Sequence, residues 1–370
     1  MKKIRRILAA LLVLTMVAAL AGCGSLSSGS SDTTAAETEA ATTAADTEDA
    51  EGEDTTAAAD ASGTQSIDTS GVDRGSEFVT VATGPTSGIY FPIGGAFAEA
   101  LSTAGYTTSA QATGASAENI SMILNGEAEI AIAMQDSVMQ AYEGVDAYEG
   151  EDPATNLRAL MRLWPNYVQL VTLADSGIES VEDLKGKKVG VGAANSGVEI
   201  NARAIYAAYG MTYEDSDVDY LSYGEAIEQM KNGQCDAAFV TSGIPNATVT
   251  ELATSYDMVI VPIDGEGRDN LLDTYSYYAA TTIPAGTYNN EEDVETVFVY
   301  NIMLVNDELD DALVYDMLDA IFENIDTIKA SHNTADANID ISFGVSDVAI
   351  PLHDGAAAWW QDQGYETPNN

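Results

Sequence analysis

The chain predicts an α/β fold built as two similar lobes, and three observations carry that reading. From residue 78 onward, apolar runs alternate with amphipathic stretches, the pattern of sheets that are largely parallel. About 293 residues of globular composition lie in that part of the chain, enough for two domains. The pattern also repeats. Asn125-Gly126-Glu127-Ala128-Glu129-Ile130-Ala131-Ile132-Ala133 echoes Asn232-Gly233-Gln234-Cys235-Asp236-Ala237-Ala238-Phe239-Val240, 107 positions on. Each reads as a helix end, a Gly stop, an acidic residue and a buried strand. The loop Thr83–Gly88 likewise echoes Gly192–Gly197, its Ser-Gly pair returning 109 positions on.

The chain opens on Lys2, Lys3, Arg5 and Arg6, followed by an apolar run from Ile7 to Leu20. That run is too short and wrongly flanked for a mature membrane span and reads as a signal segment, residues 1–22. It ends in Leu20-Ala21-Gly22-Cys23, which resembles the lipobox of bacterial lipoproteins. The resemblance implies a diacylated Cys23 as the mature N-terminus. Two acyl chains suffice for stable anchoring. The expected location is the outer face of the bacterial cytoplasmic membrane, at the cell surface or in the periplasm.

Residues 23–77 form the next segment. Gly24 to Glu77 is rich in Ser, Thr, Ala, Gly, Asp and Glu, with 13 acidic residues and one Arg. It cannot bury enough apolar surface to offset its ordering entropy and is expected to be a disordered acidic stalk. A flexible chain of that length spans roughly 40 Å.

Strands are expected, in order, at Phe78–Ala82, Tyr106–Ala112, Ile130–Met134, Leu157–Leu163, Tyr167–Leu173, Lys188–Gly192, Val218–Leu221, Ala237–Val240, Met258–Val261, Tyr275–Ala280 and Thr296–Leu304, where short apolar runs are bounded by turn residues. Helices are expected between them at Tyr90–Thr103, Ala117–Asn125, Ser137–Glu143, Val198–Tyr209, Tyr223–Lys231 and Ala247–Thr254, then at Asp310–Ile321 and Gly355–Gln363. Residues 78–166 with 281–370 are assigned to lobe 1, and residues 167–280 to lobe 2.

The whole chain carries a formal charge of −45, and its globular part about −37. No basic patch is available to neutralise phosphates, so nucleic acid is excluded as a partner. After lipidation only Cys235 remains, at the start of a strand, and it reads as a buried small residue. His332 and His353 are the only histidines, and no cluster has metal-ligand spacing, so neither metal nor cofactor is expected. No nucleophile has a neighbouring His, and no triad spacing is present, which argues against an enzyme.

Both Ser-Gly loops follow a strand and open a helix. That geometry aims free backbone N–H groups and the positive helix end beyond the strand, where an anion can bind. Two such loops facing one another would clamp a small carboxylate; taken singly, each also reads as a capped turn.

Longer motifs point to a family. Val81-Ala82-Thr83-Gly84-Pro85-Thr86-Ser87-Gly88-Ile89-Tyr90-Phe91-Pro92-Ile93-Gly94-Gly95, Thr113-Gly114-Ala115-Ser116-Ala117-Glu118-Asn119, Glu127–Ser137 and Ile350-Pro351-Leu352-His353-Asp354-Gly355-Ala356 resemble, in order, segments of the TAXI solute receptors. These are the extracytoplasmic binding proteins of tripartite ATP-independent periplasmic (TRAP) transporters. Asp354 stands where that family usually has Pro. The resemblance implies a type II periplasmic-binding-protein fold with two α/β lobes, a hinge and an interlobe cleft. It implies capture of glutamate, glutamine, 2-oxoglutarate or a similar small carboxylate, with TRAP permease subunits as partners and a monomeric receptor. A surface ligand sensor or interaction protein with the same fold is the alternative, ahead of an extracytoplasmic enzyme.

Candidate ligand residues are Ser87, Gly88 and Tyr90 in the first loop, and Thr113 and Ser116 in the second. Gln135 and Asp136 follow the third strand; Asn195, Ser196 and Gly197 come from the echoed loop, and Thr241 and Gly243 from the echoed strand end. Trp164 is a candidate for the cleft floor, and Arg158, Arg162, Arg203 and Arg268 are the guanidinium candidates for a carboxylate.

Overall fold

The computed structural model describes residues 67–194, 196–342 and 344–368. The signal segment, Cys23 and the stalk through residue 66 lie outside the described residues, as does Asn195.

The elements run β1 (Phe78–Ala82), α1 (Tyr90–Thr103), β2 (Thr107–Gln111), α2 (Ser116–Leu124), β3 (Ile130–Met134), α3 (Gln135–Glu143) and β4 (Leu157–Leu173). Then come β5 (Lys188–Gly190), α4 (Gly197–Ala208), β6 (Asp217–Asp219), α5 (Tyr223–Lys231), β7 (Ala237–Ser242), α6 (Ala247–Ser255), β8 (Met258–Val261), α7 (Gly265–Thr274) and β9 (Tyr278–Ile283). β10 (Val294–Asn306), α8 (Asp311–Glu323), α9 (Ile325–Ser331), α10 (Asn333–Asn338) and α11 (Asp354–Asp362) complete the described chain.

The strands lie in the order β2-β1-β3-β10-β4-β7-β5-β6, with β8 also on β4 and β9 also on β10. This order contains the same unit twice. In lobe 1, β1 pairs in parallel with β2 and β3, and β10 lies antiparallel to β3. In lobe 2, β5 pairs in parallel with β6 and β7, and β4 lies antiparallel to β7. β3 and β7 are buried along their whole length, as their unbroken apolar runs require of strands covered on both faces.

The acidic residue of the echo has a common role in both lobes. Glu129 accepts from the Thr80 amide at 2.7 Å, and Asp236, 107 positions on, accepts from the Lys188 amide at 2.8 Å. Each carboxylate satisfies a backbone N–H on the neighbouring strand.

β4 and β10 run through both lobes. The sequence breaks the first of them at Trp164-Pro165-Asn166, yet β4 is continuous over 17 residues. Pro165 sits opposite Tyr300 beside a register shift of β10, where its missing N–H costs no regular ladder bond. Ile283, Tyr288 and Val294 pack with Val171, Val240 and Val249 in the second core of lobe 2.

Folded structure begins before Phe78. The Arg74 guanidinium grips Asp316 on α8 through Nε at 2.6 Å and Nη2 at 2.8 Å, and Nη1 donates to the Ala104 carbonyl. The single Arg of the low-complexity segment thus fixes its end to lobe 1. The C-terminal motif is also a packing device. Leu352 bridges to Ala159, His353 caps α11, and a Cβ on Gly355 would collide with the Asp311 carbonyl oxygen.

Candidate functional site

A cavity of about 220 Å³ lies where the two lobes face each other, at the C-terminal ends of the parallel strands, the usual place for ligands in open α/β sheets. Its lining is paired by the internal repeat. Ile89 and Ser196, Tyr90 and Gly197, Gly114 and Leu221, Ala115 and Ser222, and Met134 and Thr241 all line it, each pair 107 positions apart. Equivalent strand-end loops of the two lobes therefore form opposite walls.

The lobes come into close contact at α4. A Cβ on Gly197 would run into the Met134 side chain and would stand 2.8 Å from Ser116 Oγ and 3.2 Å from Ser137 Oγ. Glycine is needed there because the first turn of α4 lies against α2 and α3 of the other lobe. Ser196 caps that turn, its hydroxyl accepting from the Glu199 amide at 3.3 Å. Close by, Asp136 on α3 accepts from Asn201 Nδ2 on α4 and, at 3.1 Å, from the Tyr278 hydroxyl on β9. Burial pushes the Asp136 carboxyl up to about 6, against the opposing effect of its hydrogen bonds.

The polar tips around the cavity are largely committed elsewhere. The Tyr90 hydroxyl donates to Asn301 Oδ1, and the Tyr223 hydroxyl donates to the Thr241 carbonyl at 2.6 Å. Ser222 Oγ donates to Glu225 at 2.7 Å. Tyr90 and Tyr223 therefore present ring carbon to the cavity. Burial raises both phenol pKa values, so both stay neutral. Thr241 is the exception: it is 2% exposed, lines the cavity, and its hydroxyl has no hydrogen-bond partner. Among the described residues, none of the 17 that line the cavity is charged.

Gly88, Tyr90, Ser196, Gly197 and Thr241 of the sequence-derived set meet around this cavity. Ser87 is exposed and is not among the lining residues. Thr113 donates to Asn119 Oδ1 at 2.7 Å, while Asn119 Nδ2 reaches the Thr83 and Ile132 carbonyls at 2.6 and 2.7 Å. That network ties the ends of β1 and β3 together behind the wall. Ser116 Oγ accepts from the Met134 amide at 3.1 Å, and Gln135 is buried with Oε1 unpartnered. Gly243 packs against Ile89 and Thr334 beside the cavity rather than on it.

Trp164 lies one layer deeper, edge-on to the Tyr90 ring at 5.7 Å, with Nε1 donating to Asn166 at 3.0 Å. None of the four arginines lines the cavity. Arg158 pairs with Asp307, Arg162 with Asp347, Arg203 with Glu199 and Arg268 with Glu295. Sequence reasoning missed Leu221, Ser222 and Tyr223. Extending the 107-residue offset from Gly114-Ala115-Ser116 would have found them.

Two α/β lobes joined by crossing strands, with a cavity between their facing strand ends, make up the type II binding-protein architecture. The chain belongs to the NMT1-like family, whose pattern matches residues 81–364. Among solved structures it is similar to the alkanesulfonate-binding protein SsuA from Xanthomonas axonopodis pv. citri bound to MOPS, at 13% identity and TM-score 0.43, over 69% of this chain and 72% of that one. It is also similar to a putative L-cystine ABC transporter from Listeria monocytogenes, at 16% identity and TM-score 0.43, over 69% and 94% of the two chains. A protein from Bordetella bronchiseptica RB50 matches at 17% identity and TM-score 0.47, over 79% and 90%.

Proposed function

We propose that the chain is an extracytoplasmic solute-binding protein that captures a small carboxylate between its lobes and delivers it to a membrane permease. The observation that carries this reading is the cavity walled by equivalent loops of both lobes, with the first turn of α4 on it. A helix N-terminus suits an oxyanion. A site with no charged residue in its lining lacks the acid–base groups of catalysis, which favours binding over turnover.

Membership of the NMT1-like family agrees with this function. The motif resemblance to TAXI receptors favours a TRAP-type secondary transporter as the recipient, and Leu20–Cys23 favours lipid anchoring at the outer face of the membrane. Among the described residues no helix is long and apolar enough to cross a membrane.

The test is a thermal-melt panel of small carboxylates that includes glutamate, glutamine and 2-oxoglutarate. A true ligand at a hundredfold excess over its Kd adds about 2.7 kcal/mol of stability. The expected result is saturable stabilisation by at least one member, which is recovered chemically unchanged. Stabilisation by none of them, or turnover of the one bound, contradicts the reading.

A further inference from the structure

Two helix faces meet beside the cavity, one from each lobe. On α4, Gly197 and Asn201 are four positions apart and share a face; on α3, Asp136 and Gln140 do the same. Gly197 lines the cavity, whereas Asp136, Asn201 and Tyr278 do not. Resting on the binding function just proposed, we infer that Asp136, Asn201 and Tyr278 form a lock between the lobes, which positions the α4 wall of the cavity and sets solute affinity without touching the solute.

The three polar groups close a triangle. Asn201 Nδ2 donates to Asp136 and, at 2.8 Å, to the Tyr278 hydroxyl, which in turn donates to Asp136 at 3.1 Å. A carboxylate only accepts, so the amide faces it with nitrogen. Asp136 and Asn201 are wholly buried, and Tyr278 is 5% exposed. One turn further along α3, Gln140 Nε2 donates to the Tyr277 hydroxyl at 3.2 Å and extends the same contact.

A helix moves as a unit, and this couples the lock to the cavity. Asn201 lies one turn, about 5.4 Å, along the axis from Gly197. A shift of α4 that breaks the triangle therefore withdraws Ser196, Gly197 and Val198 from the cavity wall they form. The contact is also built to open. Separated lobes give Asp136 and Asn201 to water, which solvates both, whereas the closed contact leaves Asn201 Oδ1 buried without a hydrogen-bond partner. That cost offsets part of what the triangle returns and keeps the lock breakable, as release of a solute requires.

The experiment measures the interlobe distance by spin labels on the solute-free protein, at Ser87→Cys in lobe 1 and Tyr220→Cys in lobe 2, both exposed. Cys23→Ser removes one native thiol, and the other, Cys235, is buried. The expected result is a short distance in the parent that is lost in Asn201→Asp, where two carboxylates face each other, and less populated in Tyr278→Phe. The double variant Asp136→Asn with Asn201→Asp exchanges donor and acceptor across the triangle and is expected to restore the short distance. Affinity for the best-binding member of the carboxylate panel should fall about tenfold or more in Asn201→Asp and recover in the double variant, because the closed fraction scales the apparent Kd. A parent with only long distances, an Asn201→Asp variant no more open than the parent, or a double variant no more closed than that single one overturns the lock. If Asn201→Asp does not fold, the parental distance in Tyr278→Phe overturns it. Binding by no carboxylate contradicts the binding function alone, since the distances are read without solute.

Discussion

Asp136 shows how much a single residue can carry in this fold. The sequence marks it as a candidate ligand residue after a buried strand. The structure makes it a contact between the lobes, because Asn201 on α4 reaches it from the opposite side of the cleft. Its carboxyl is pushed up to about 6 by burial, whereas an unfolded chain has about 3.9. The folded state therefore holds the proton more tightly. The Asp136 contribution to stability is greatest below about pH 4, falls as pH rises from about 4 to about 6, and is flat above. The whole effect is on the order of 2–3 kcal/mol. Parallel melts of the parent and Asp136→Asn between pH 4 and 7 check this. The parent's stability relative to the variant should rise as pH falls, because the amide cannot titrate. A constant difference across that range contradicts the account. Other side chains were less legible in sequence. Thr113, Ser116 and Asn119 carry the hydroxyl and amide chemistry of a binding site, but the structure uses Thr113 and Asn119 to join strand ends and Ser116 to hold the Met134 amide. Residue type alone does not tell a ligand contact from a backbone staple.

At the scale of elements, the buried strands and amphipathic helices were readable because burial on one or both faces leaves a period in the sequence. The boundaries of β1, α1 and β3 agree with their apolar runs. The sequence reading leaves no helix at α7, since Gly265-Glu266-Gly267 is a poor helix start and much of its surface is polar. Gly267 is needed there for packing, since a Cβ at that position would collide with the Tyr209 ring. Composition likewise misplaces the start of the folded part, because three hydrogen bonds from Arg74 outweigh the low complexity around it. Arg74→Ala should therefore destabilise the protein by about 1–3 kcal/mol, by leaving the largely buried Asp316 without its fork. That corresponds to a fall in melting temperature of roughly 2–4 °C per kcal/mol in a domain of this size class. Arg74→Lys should recover only part of it, since an ammonium cannot reproduce the planar fork. An unchanged melt in Arg74→Ala would show that this segment rests on the domain without supporting it.

For the whole molecule, the internal repeat is the organising fact. It was visible as the Asn-Gly echo at 107 positions, and the structure converts it into two matching sheet units whose equivalent loops face each other across one cavity; the Ser-Gly echo at 109 is out of that register, since Ile89 and Tyr90, not Ser87 and Gly88, are the counterparts of Ser196 and Gly197. The sequence could not show how far the loops penetrate, because depth is set by the crossing of β4 and β10 and by the close approach at Gly197. Ser87 was expected in the cavity and is exposed, while Leu221, Ser222 and Tyr223 line it unannounced. The central claim is that one solute is held by both lobes at once. It is tested most directly by titrating the best-binding carboxylate into two variants, each altering one wall: Gly88→Leu in lobe 1 and Gly197→Val in lobe 2. Both positions line the cavity, and a branched side chain at either would occupy it or hold the lobes apart. The account predicts one-to-one binding in the parent and a loss of at least a hundredfold in each variant, with Ser87→Ala unchanged. Parental affinity in either Gly88→Leu or Gly197→Val would place the solute on a single lobe and contradict the account.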